Sequence, residues 1–153
     1  MAVVDLPDEA ATAALAERIS ALAATGDIIA LKGDLGAGKT TFARGFVRAR
    51  GCKEEVPSPT FTLVQIYELD SVAIWHFDLY RLKSPKEAWE LGIEDAFIEG
   101  ISLIEWPERL GSLLPPRRLE IEFMFGDRPE TRRAALDAGE GWQTRLARIA
   151  ADA

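Results

Sequence analysis

The 153-residue sequence has one cysteine, Cys52, and one histidine, His76. A single cysteine cannot form an intramolecular disulfide, which favours a reducing compartment, and the two residues are too few for a structural zinc site. No apolar run approaches the ~20 residues of a membrane-spanning helix, and the N-terminal segment carries acids where a signal peptide carries Lys or Arg. We therefore predict a cytoplasmic protein without a membrane partner.

Positive charge is also scarce, because the sequence has 18 Lys and Arg residues compared with 25 Asp and Glu residues, and its net charge is −7. Binding of nucleic acid by an isolated domain depends on Lys and Arg at the phosphates, so this charge argues against a protein that holds DNA or RNA by itself. Eight of the thirteen arginines nevertheless lie from Arg109 onward. A solvated surface is the simpler interpretation of these arginines, and contact with an RNA or an acidic partner inside a larger assembly is the alternative.

The length and the 48% hydrophobic content predict a single domain over residues 1–153 with a sizeable core. Hydrophobic periodicity, with Gly and Pro as breaks, predicts helices and strands in alternation. The predicted helices are residues 6–26, 39–50, 84–92 and 141–151, and the predicted strands are residues 27–33, 61–69, 72–80, 101–106, 117–125 and 132–136. This mixture predicts a three-layer α/β fold, and two hairpins make the central sheet mixed, although mostly parallel.

The segment GDLGAGKT, residues 33–40, lies between a predicted buried strand and a predicted helix. It matches the P-loop or Walker A pattern G-x-x-x-x-G-K-[ST], in which a curled backbone and a helix N-terminus bind phosphate. Lys39 is predicted to reach the β- and γ-phosphates, and the Thr40 hydroxyl is predicted to bind Mg²⁺. The predicted nucleotide-binding residues of this segment are Gly33, Asp34, Leu35, Gly36, Ala37, Gly38, Lys39, Thr40 and Thr41.

Two acids at the ends of predicted strands are candidates for a magnesium site beside this loop. Asp78 ends the strand VAIWHFD and Glu105 ends the strand ISLIE, and ligands of open α/β sheets bind at the carboxyl ends of strands. The alternative for either acid is to cap a neighbouring helix. His76 is predicted to face the same side as Asp78, where packing with a backbone hydrogen bond is the preferred interpretation over a catalytic or metal role.

Thr60 lies in the proline-containing segment PSPTFT, between the helix that follows the P-loop pattern and the next strand. Nucleotide switches place a threonine there that senses Mg²⁺ or the γ-phosphate, and a plain structural connection is the alternative.

The absence of an Asn-Lys-x-Asp segment that could read guanine favours ATP as the nucleotide. A small-molecule kinase needs a lid with an arginine and an acceptor pocket, and no inserted segment is long enough for both. An ATPase needs only water and a partner that benefits from the cycle, while a non-hydrolysing ATP-gated adaptor stays open as a third alternative.

Six segments together make the sequence resemble the TsaE family, the small bacterial ATPases of tRNA threonylcarbamoyladenosine synthesis, with a P-loop NTPase fold. In chain order they are LPDEAAT, LKGDLGAGKTTFARGF, PSPTFTLVQIYE, HFDLYRL, ELGIEDAF and IEWPERL. The resemblance implies slow ATP hydrolysis with Mg²⁺. It also implies support of a TsaD–TsaB carbamoyl-transferase pair, through which tRNA is reached indirectly.

The resemblance also implies roles for individual residues. The phosphate loop of the family falls on residues 36–41, and its switch-like threonine falls on Thr60. The Mg²⁺ site falls on Thr40 and Glu105, while Asp78 is assigned to the metal or to the attacking water. A C-terminal arginine near the nucleotide falls on Arg132. The residues predicted to be catalytic are Lys39, Asp78 and Glu105.

Overall fold

A computed structural model of the chain describes residues 2–59, 62–69 and 71–151. Its strands form one sheet in the order β1-β7-β6-β2-β5-β4-β3. The strands are β1 (Ala2–Leu6), β2 (Ile28–Lys32), β3 (Val64–Glu68), β4 (Ala73–Asp78), β5 (Gly100–Glu105), β6 (Leu119–Phe125) and β7 (Arg132–Ala138). The four central strands, β6, β2, β5 and β4, run parallel, whereas the outer pairs β3–β4, β6–β7 and β1–β7 are antiparallel. Both predicted hairpins and the mixed sheet with a parallel centre are thus confirmed.

Helices cover both faces of this sheet. They are α1 (Glu9–Leu22), α2 (Lys39–Ala49), α3 (Pro85–Glu90), α4 (Ile93–Glu99) and α5 (Gln143–Ala151), with a 3₁₀ segment at Pro107–Leu113. One hydrophobic cluster joins the sheet to α1, α2 and α5, and a second joins its other face to α3, α4 and the 3₁₀ segment. The predicted three-layer α/β fold is therefore confirmed. None of the described helices combines the length and the apolar content that crossing a bilayer requires.

Strand β2 lies at the centre of the sheet, between β5 and β6. Ile29 and Leu31 belong to the cluster on the α1–α2 side, while Ile28 belongs to the cluster on the other side. Burial on both faces explains the continuous apolar run in this strand. The strand leads directly into residues 33–40, which we call the Gly-rich loop, and α2 begins within that loop at Lys39.

Three elements were not predicted from the sequence: β1, α4 and the 3₁₀ segment. The helix predicted from residue 6 in fact begins at Glu9, after Asp8, whose side chain accepts a hydrogen bond of 2.8 Å from the backbone N–H of Ala11. Leu6 belongs instead to β1, an edge strand that pairs with β7. The additional strand leaves the site-forming centre of the sheet unchanged.

The parallel pairing of β4 and β5 sets Asp78 directly beside Glu105, because the two residues are partners in the strand register. Side chains alternate along a strand, so His76 and Asp78 project from the same face of β4. Ile74 on that face belongs to the cluster on the α1–α2 side. The sheet therefore directs these polar side chains toward the start of α2.

Candidate functional site

The Gly-rich loop lies closely against β6. Gly33 has φ 136°, and a Cβ at this position would lie 2.6 Å from the backbone oxygen of Phe123. Gly38 has φ 121°, and a Cβ there would lie 3.4 Å from the Phe123 ring. The left-handed region and the close approach both favour glycine, so these two glycines are needed for the curl of the loop.

Lys39 is buried at the beginning of α2, with 4% of its surface exposed. Its ammonium donates hydrogen bonds to the backbone oxygens of Gly33 and Asp34 and lies 3.7 Å from the centroid of the Trp106 ring. Burial lowers the pKa of Lys39, and neighbouring carboxylates raise it in partial opposition. These carboxylates belong to Glu105, Asp78, Glu108 and Asp34.

Thr40 and Glu105 meet at the first turn of α2. The Thr40 hydroxyl donates to the Glu105 carboxylate, at 3.1 Å from Oε1 and 3.3 Å from Oε2. His76 Nε2 lies 2.6 Å from Oε2 of the same carboxylate, and both residues are buried. The interpretation of His76 as packing with a backbone hydrogen bond is therefore wrong, because its partner is the Glu105 carboxylate.

Asp78 lies on the same wall of the site and is only 5% exposed. Its Oδ1 accepts a hydrogen bond of 3.1 Å from the backbone N–H of Tyr80. Asp78 lines a cavity of about 140 Å³ together with Thr40, Glu105 and Trp106. The structure thus brings together all three residues that the sequence predicts for the metal.

The oxygens at this cavity are of the kind that Mg²⁺ prefers. Thr40 and Thr41 contribute hydroxyls, and Asp78 and Glu105 contribute carboxylates, all hard ligands. Within the described part of the chain, no group of three or more His, Cys, Asp or Glu side chains could hold a metal ion alone. This donor set fits Mg²⁺, which usually binds through one or two carboxylates together with substrate phosphates and water.

Trp106, directly after Glu105, has an unusual backbone conformation with φ 59° and ψ 52°. This left-handed conformation is rare for a bulky residue and is often found at functional sites. Its ring contacts the Lys39 ammonium and also the ring of Tyr80, whose centroid is 4.9 Å away. The contact with Tyr80 has no signal in the sequence, since it depends on the turn that Trp106 makes.

Arg132, the first residue of β7, contacts the Gly-rich loop at Gly36. Its Nε and Nη2 donate to the Gly36 oxygen at 3.2 and 3.1 Å, and its guanidinium lies 4.7 Å from the centroid of the Phe125 ring. The adjacent Arg133 is instead paired with Asp5. Of these two arginines, Arg132 is therefore the one that reaches the loop.

A second cavity of about 350 Å³ is lined by part of the loop and by Arg132. Gly36, Gly38 and Thr41 line both cavities. Leu35, at the tip of the loop, is 65% exposed and lines the smaller cavity, whereas Ala37 is buried.

Thr60 lies outside the described residues, so its predicted switch role stays a prediction. On one side of it, the Pro59 oxygen accepts a hydrogen bond of 2.7 Å from the backbone N–H of Leu63, which has φ 69°. Arg44 in α2 donates to the Val56 oxygen at 2.9 Å, which attaches the beginning of this connection to the helix.

Comparisons with known proteins agree with this architecture. The family model described as "Threonylcarbamoyl adenosine biosynthesis protein TsaE" matches residues 6–134. The tRNA threonylcarbamoyladenosine biosynthesis protein TsaE of Rickettsia felis is 44% identical over 118 residues, which are 76% of this chain and 68% of the relative. The protein of the same name from Bacillus subtilis is 40% identical over 116 residues, covering 75% and 71% of the two chains.

A solved structure shows the same fold. The crystal structure of Bacillus subtilis YdiB superimposes with a TM-score of 0.80 at 31% sequence identity, covering 97% of this chain and 92% of that one. The match to the family model includes the Gly-rich loop, both strand-end acids and Arg132. The chain therefore belongs to the TsaE family of tRNA threonylcarbamoyladenosine biosynthesis proteins.

Proposed function

We propose that this protein binds ATP with Mg²⁺, hydrolyses it slowly, and supports a TsaD–TsaB-type carbamoyl-transferase pair in forming threonylcarbamoyladenosine in tRNA. One observation carries the proposal. In a TsaE-family chain, Lys39, Thr40, Asp78 and Glu105 converge on one small cavity at the Gly-rich loop. The proposed compartment is the cytoplasm, in keeping with the single cysteine.

The Gly-rich loop and Lys39 would bind the phosphates of the nucleotide. Lys39 now donates to two backbone oxygens of its own loop, and phosphate oxygens are stronger, charged acceptors that would replace them. The smaller cavity would hold the terminal phosphates, and the 350 Å³ cavity beside Arg132 is large enough for the nucleoside. Because the two cavities share the loop, one elongated ligand can occupy both.

Thr40 and Glu105 would hold Mg²⁺, since their side chains already meet at 3.1 Å. When bound, the ion neutralises charge on the phosphates and orients them. Asp78 is adjacent to Glu105 and is assigned to the metal or to the attacking water. Trp106 covers the Lys39 ammonium and helps to exclude bulk water from this side of the cavity.

Slow hydrolysis is consistent with the lack of an arginine at the smaller cavity among the described residues. The smaller cavity is lined by Lys39, and no arginine lines it within the described residues. Arg44, in the helix that follows the loop, is engaged with the Val56 oxygen. An arginine that stabilises the transition state contributes ~10³-fold or more, so a partner could accelerate hydrolysis by supplying one.

The test is phosphate release from ATP, with and without the purified TsaD–TsaB-type pair and tRNA. We expect stimulation by the pair, and we expect Glu105→Ala and Asp78→Ala each to reduce turnover at least ~10²-fold. Glu99→Ala, at an exposed position of α4, is the control and should leave the rate unchanged.

Three outcomes would contradict the proposal. No stimulation by the pair with tRNA present would remove the partner role. Transfer of labelled γ-phosphate to a metabolite would favour the small-molecule kinase. Full partner function in Glu105→Ala, with ATP still bound, would favour the non-hydrolysing adaptor.

A further inference from the structure

His76, the only histidine of the chain, is completely buried in the central part of the sheet. Its Nε2 lies 2.6 Å from Oε2 of Glu105. Its Nδ1 is buried and has no hydrogen-bond partner among the residues that the structure describes. The one polar contact that the structure shows for this ring is thus to the carboxylate that we assign to Mg²⁺.

Packing alone does not account for a histidine at this position. An apolar side chain of similar size would fill the space without leaving a buried polar atom unpaired. A direct role as a magnesium ligand does not account for it either, because Nε2 is already engaged and Mg²⁺ prefers oxygen ligands. The remaining feature of the residue is the hydrogen bond to Glu105.

The Glu105 carboxylate has two competing attractions. Its Oε1 lies 3.1 Å from the Thr40 hydroxyl, while the buried Lys39 ammonium lies close enough for their charges to interact. Glu105 has three rotatable side-chain bonds, so an unanchored carboxylate could turn toward the ammonium. A donor at Oε2 removes that freedom and keeps Oε1 beside Thr40.

We propose that His76 is a positioning residue for Glu105, which it orients toward Thr40 by donating its Nε2–H to Oε2. This inference rests on the proposed function, because it takes Thr40 and Glu105 as the residues that hold Mg²⁺. Partners of metal-binding carboxylates commonly act in this way, and their loss typically costs 10–100-fold in metal affinity. The role requires no change in the charge of His76.

The strand register explains how the sequence achieves this contact. Asp78 is the direct partner of Glu105 across the β4–β5 pair, and His76 is the partner of Leu103. His76 and Glu105 are therefore diagonal neighbours on one sheet face, a separation that long side chains can bridge. A one-residue shift of register would turn the imidazole away from the carboxylate.

The decisive comparison is between His76→Gln and His76→Met. The two replacements have nearly the same size, but only glutamine retains an N–H donor. The readout is binding of a fluorescent ADP analogue over a magnesium titration, with binding in EDTA as the reference and circular dichroism as the check of folding. For His76→Met we expect the magnesium concentration at half-maximal effect to rise ~10-fold or more. His76→Gln should stay within ~3-fold of the wild type, and binding in EDTA should be unchanged in both variants.

Equal magnesium requirements in the two variants would overturn the positioning role. A rise of ~10-fold or more in His76→Gln would also overturn it, since the donor would then not suffice. If His76→Met does not fold, the magnesium requirement of His76→Gln is compared with that of the wild type. A rise of ~10-fold or more in His76→Gln then overturns the positioning role.

A second measurement does not depend on variants or on nucleotide. Because the chain has one histidine, long-range ¹H–¹⁵N correlation of the labelled wild-type protein reports its tautomer without resonance assignment. We expect the proton on Nε2, and a proton found on Nδ1 alone would overturn the inference. A wild-type protein that shows the Nε2–H tautomer but no magnesium-dependent nucleotide binding would instead refute the proposed function and leave the hydrogen bond intact.

Discussion

Lys39 combines burial with a positive charge that the surrounding carboxylates and backbone oxygens partly compensate. Its ammonium is covered by Trp106 and surrounded by acceptors of its own loop. Burial is the largest influence and lowers the pKa of this side chain, so the folded protein without ligand holds the proton less tightly than an ordinary lysine does. The same environment makes the ammonium an effective partner for an anion that enters the loop.

The affinity for ATP should therefore fall at alkaline pH earlier than it would with an exposed lysine. Bound phosphates favour the charged form and raise the pKa of Lys39, so binding takes up a proton at pH values above the lowered pKa of the free protein. We expect affinity to be independent of this group below that pKa and to fall by up to ~10-fold per pH unit above it. Calorimetry in two buffers of different ionisation enthalpy measures the proton uptake directly.

The control for this titration is Lys32→Gln, which removes the lysine at the end of β2 and should preserve the pH dependence. Absence of proton uptake up to the ordinary lysine pKa of 10.5 would show that burial does not weaken the hold of Lys39 on its proton.

At this scale the sequence was informative wherever chemistry dictates the residue type. Lys39 and Thr40 follow from the loop pattern, and Asp78 and Glu105 follow from the rule that ligands bind at strand ends. The contact between His76 and Glu105 could not be predicted in the same way. It depends on which strands are neighbours and in what register, and both are set by the packing of the whole sheet.

At the scale of elements, α5 and β1 are each attached to the fold by an arginine–aspartate pair. The two pairs differ in the number of hydrogen bonds and in solvent exposure. Arg145 in α5 donates to both carboxylate oxygens of Asp27 at 2.6 and 3.1 Å, and the two side chains are 21% and 11% exposed. Arg133 in β7 makes one bond of 2.9 Å to Asp5 in β1, with side chains 55% and 80% exposed. Two parallel bonds in a less solvated position should contribute more to stability.

Double-mutant cycles should resolve this difference. For Arg145→Ala and Asp27→Ala we expect a coupling energy of about 1–2 kcal/mol in the free energy of unfolding. For Arg133→Ala and Asp5→Ala, the matched exposed pair, we expect less than about 0.5 kcal/mol. Urea denaturation of the four single and two double variants supplies the values. Equal coupling in the two pairs would mean that burial and geometry do not govern how firmly α5 is attached.

Two of the elements that were not predicted, β1 and α4, have no local sequence signal of their own. β1 is a short edge strand whose pairing partner, β7, lies more than 100 residues later in the chain. α4 follows α3 after Gly92, and the αL conformation of this glycine, with φ 85°, ends one helix and begins the next without a longer connection. Periodicity reports which face of a segment is buried, and it does not report a partner that is distant in sequence.

At the scale of the whole molecule, the concentration of arginines after residue 108 has a largely internal explanation. Five of the eight have partners within the fold: Arg109 with the Tyr80 ring, Arg118 with Glu120, Arg132 with Gly36, Arg133 with Asp5 and Arg145 with Asp27. These guanidinium groups are already engaged and would have to leave their partners to contact phosphates. With a net charge of −7, the chain has no general attraction for RNA.

We therefore predict that the isolated protein shows no saturable binding to tRNA at 150 mM salt, because too few arginines remain for the phosphate contacts that supply such affinity. Filter binding with labelled tRNA measures this, first with the protein alone and then with the TsaD–TsaB-type pair added. Retention of tRNA should appear only with the pair, as the proposed indirect route to tRNA requires. The double variant Arg117→Gln, Arg128→Gln, which alters two exposed arginines, should retain the same amount of tRNA as the wild type in the presence of the pair.

The contrary outcome is tRNA binding by the protein alone that weakens steeply with salt and that the double variant loses. Such binding would show direct phosphate contacts and would contradict the internal role of these arginines.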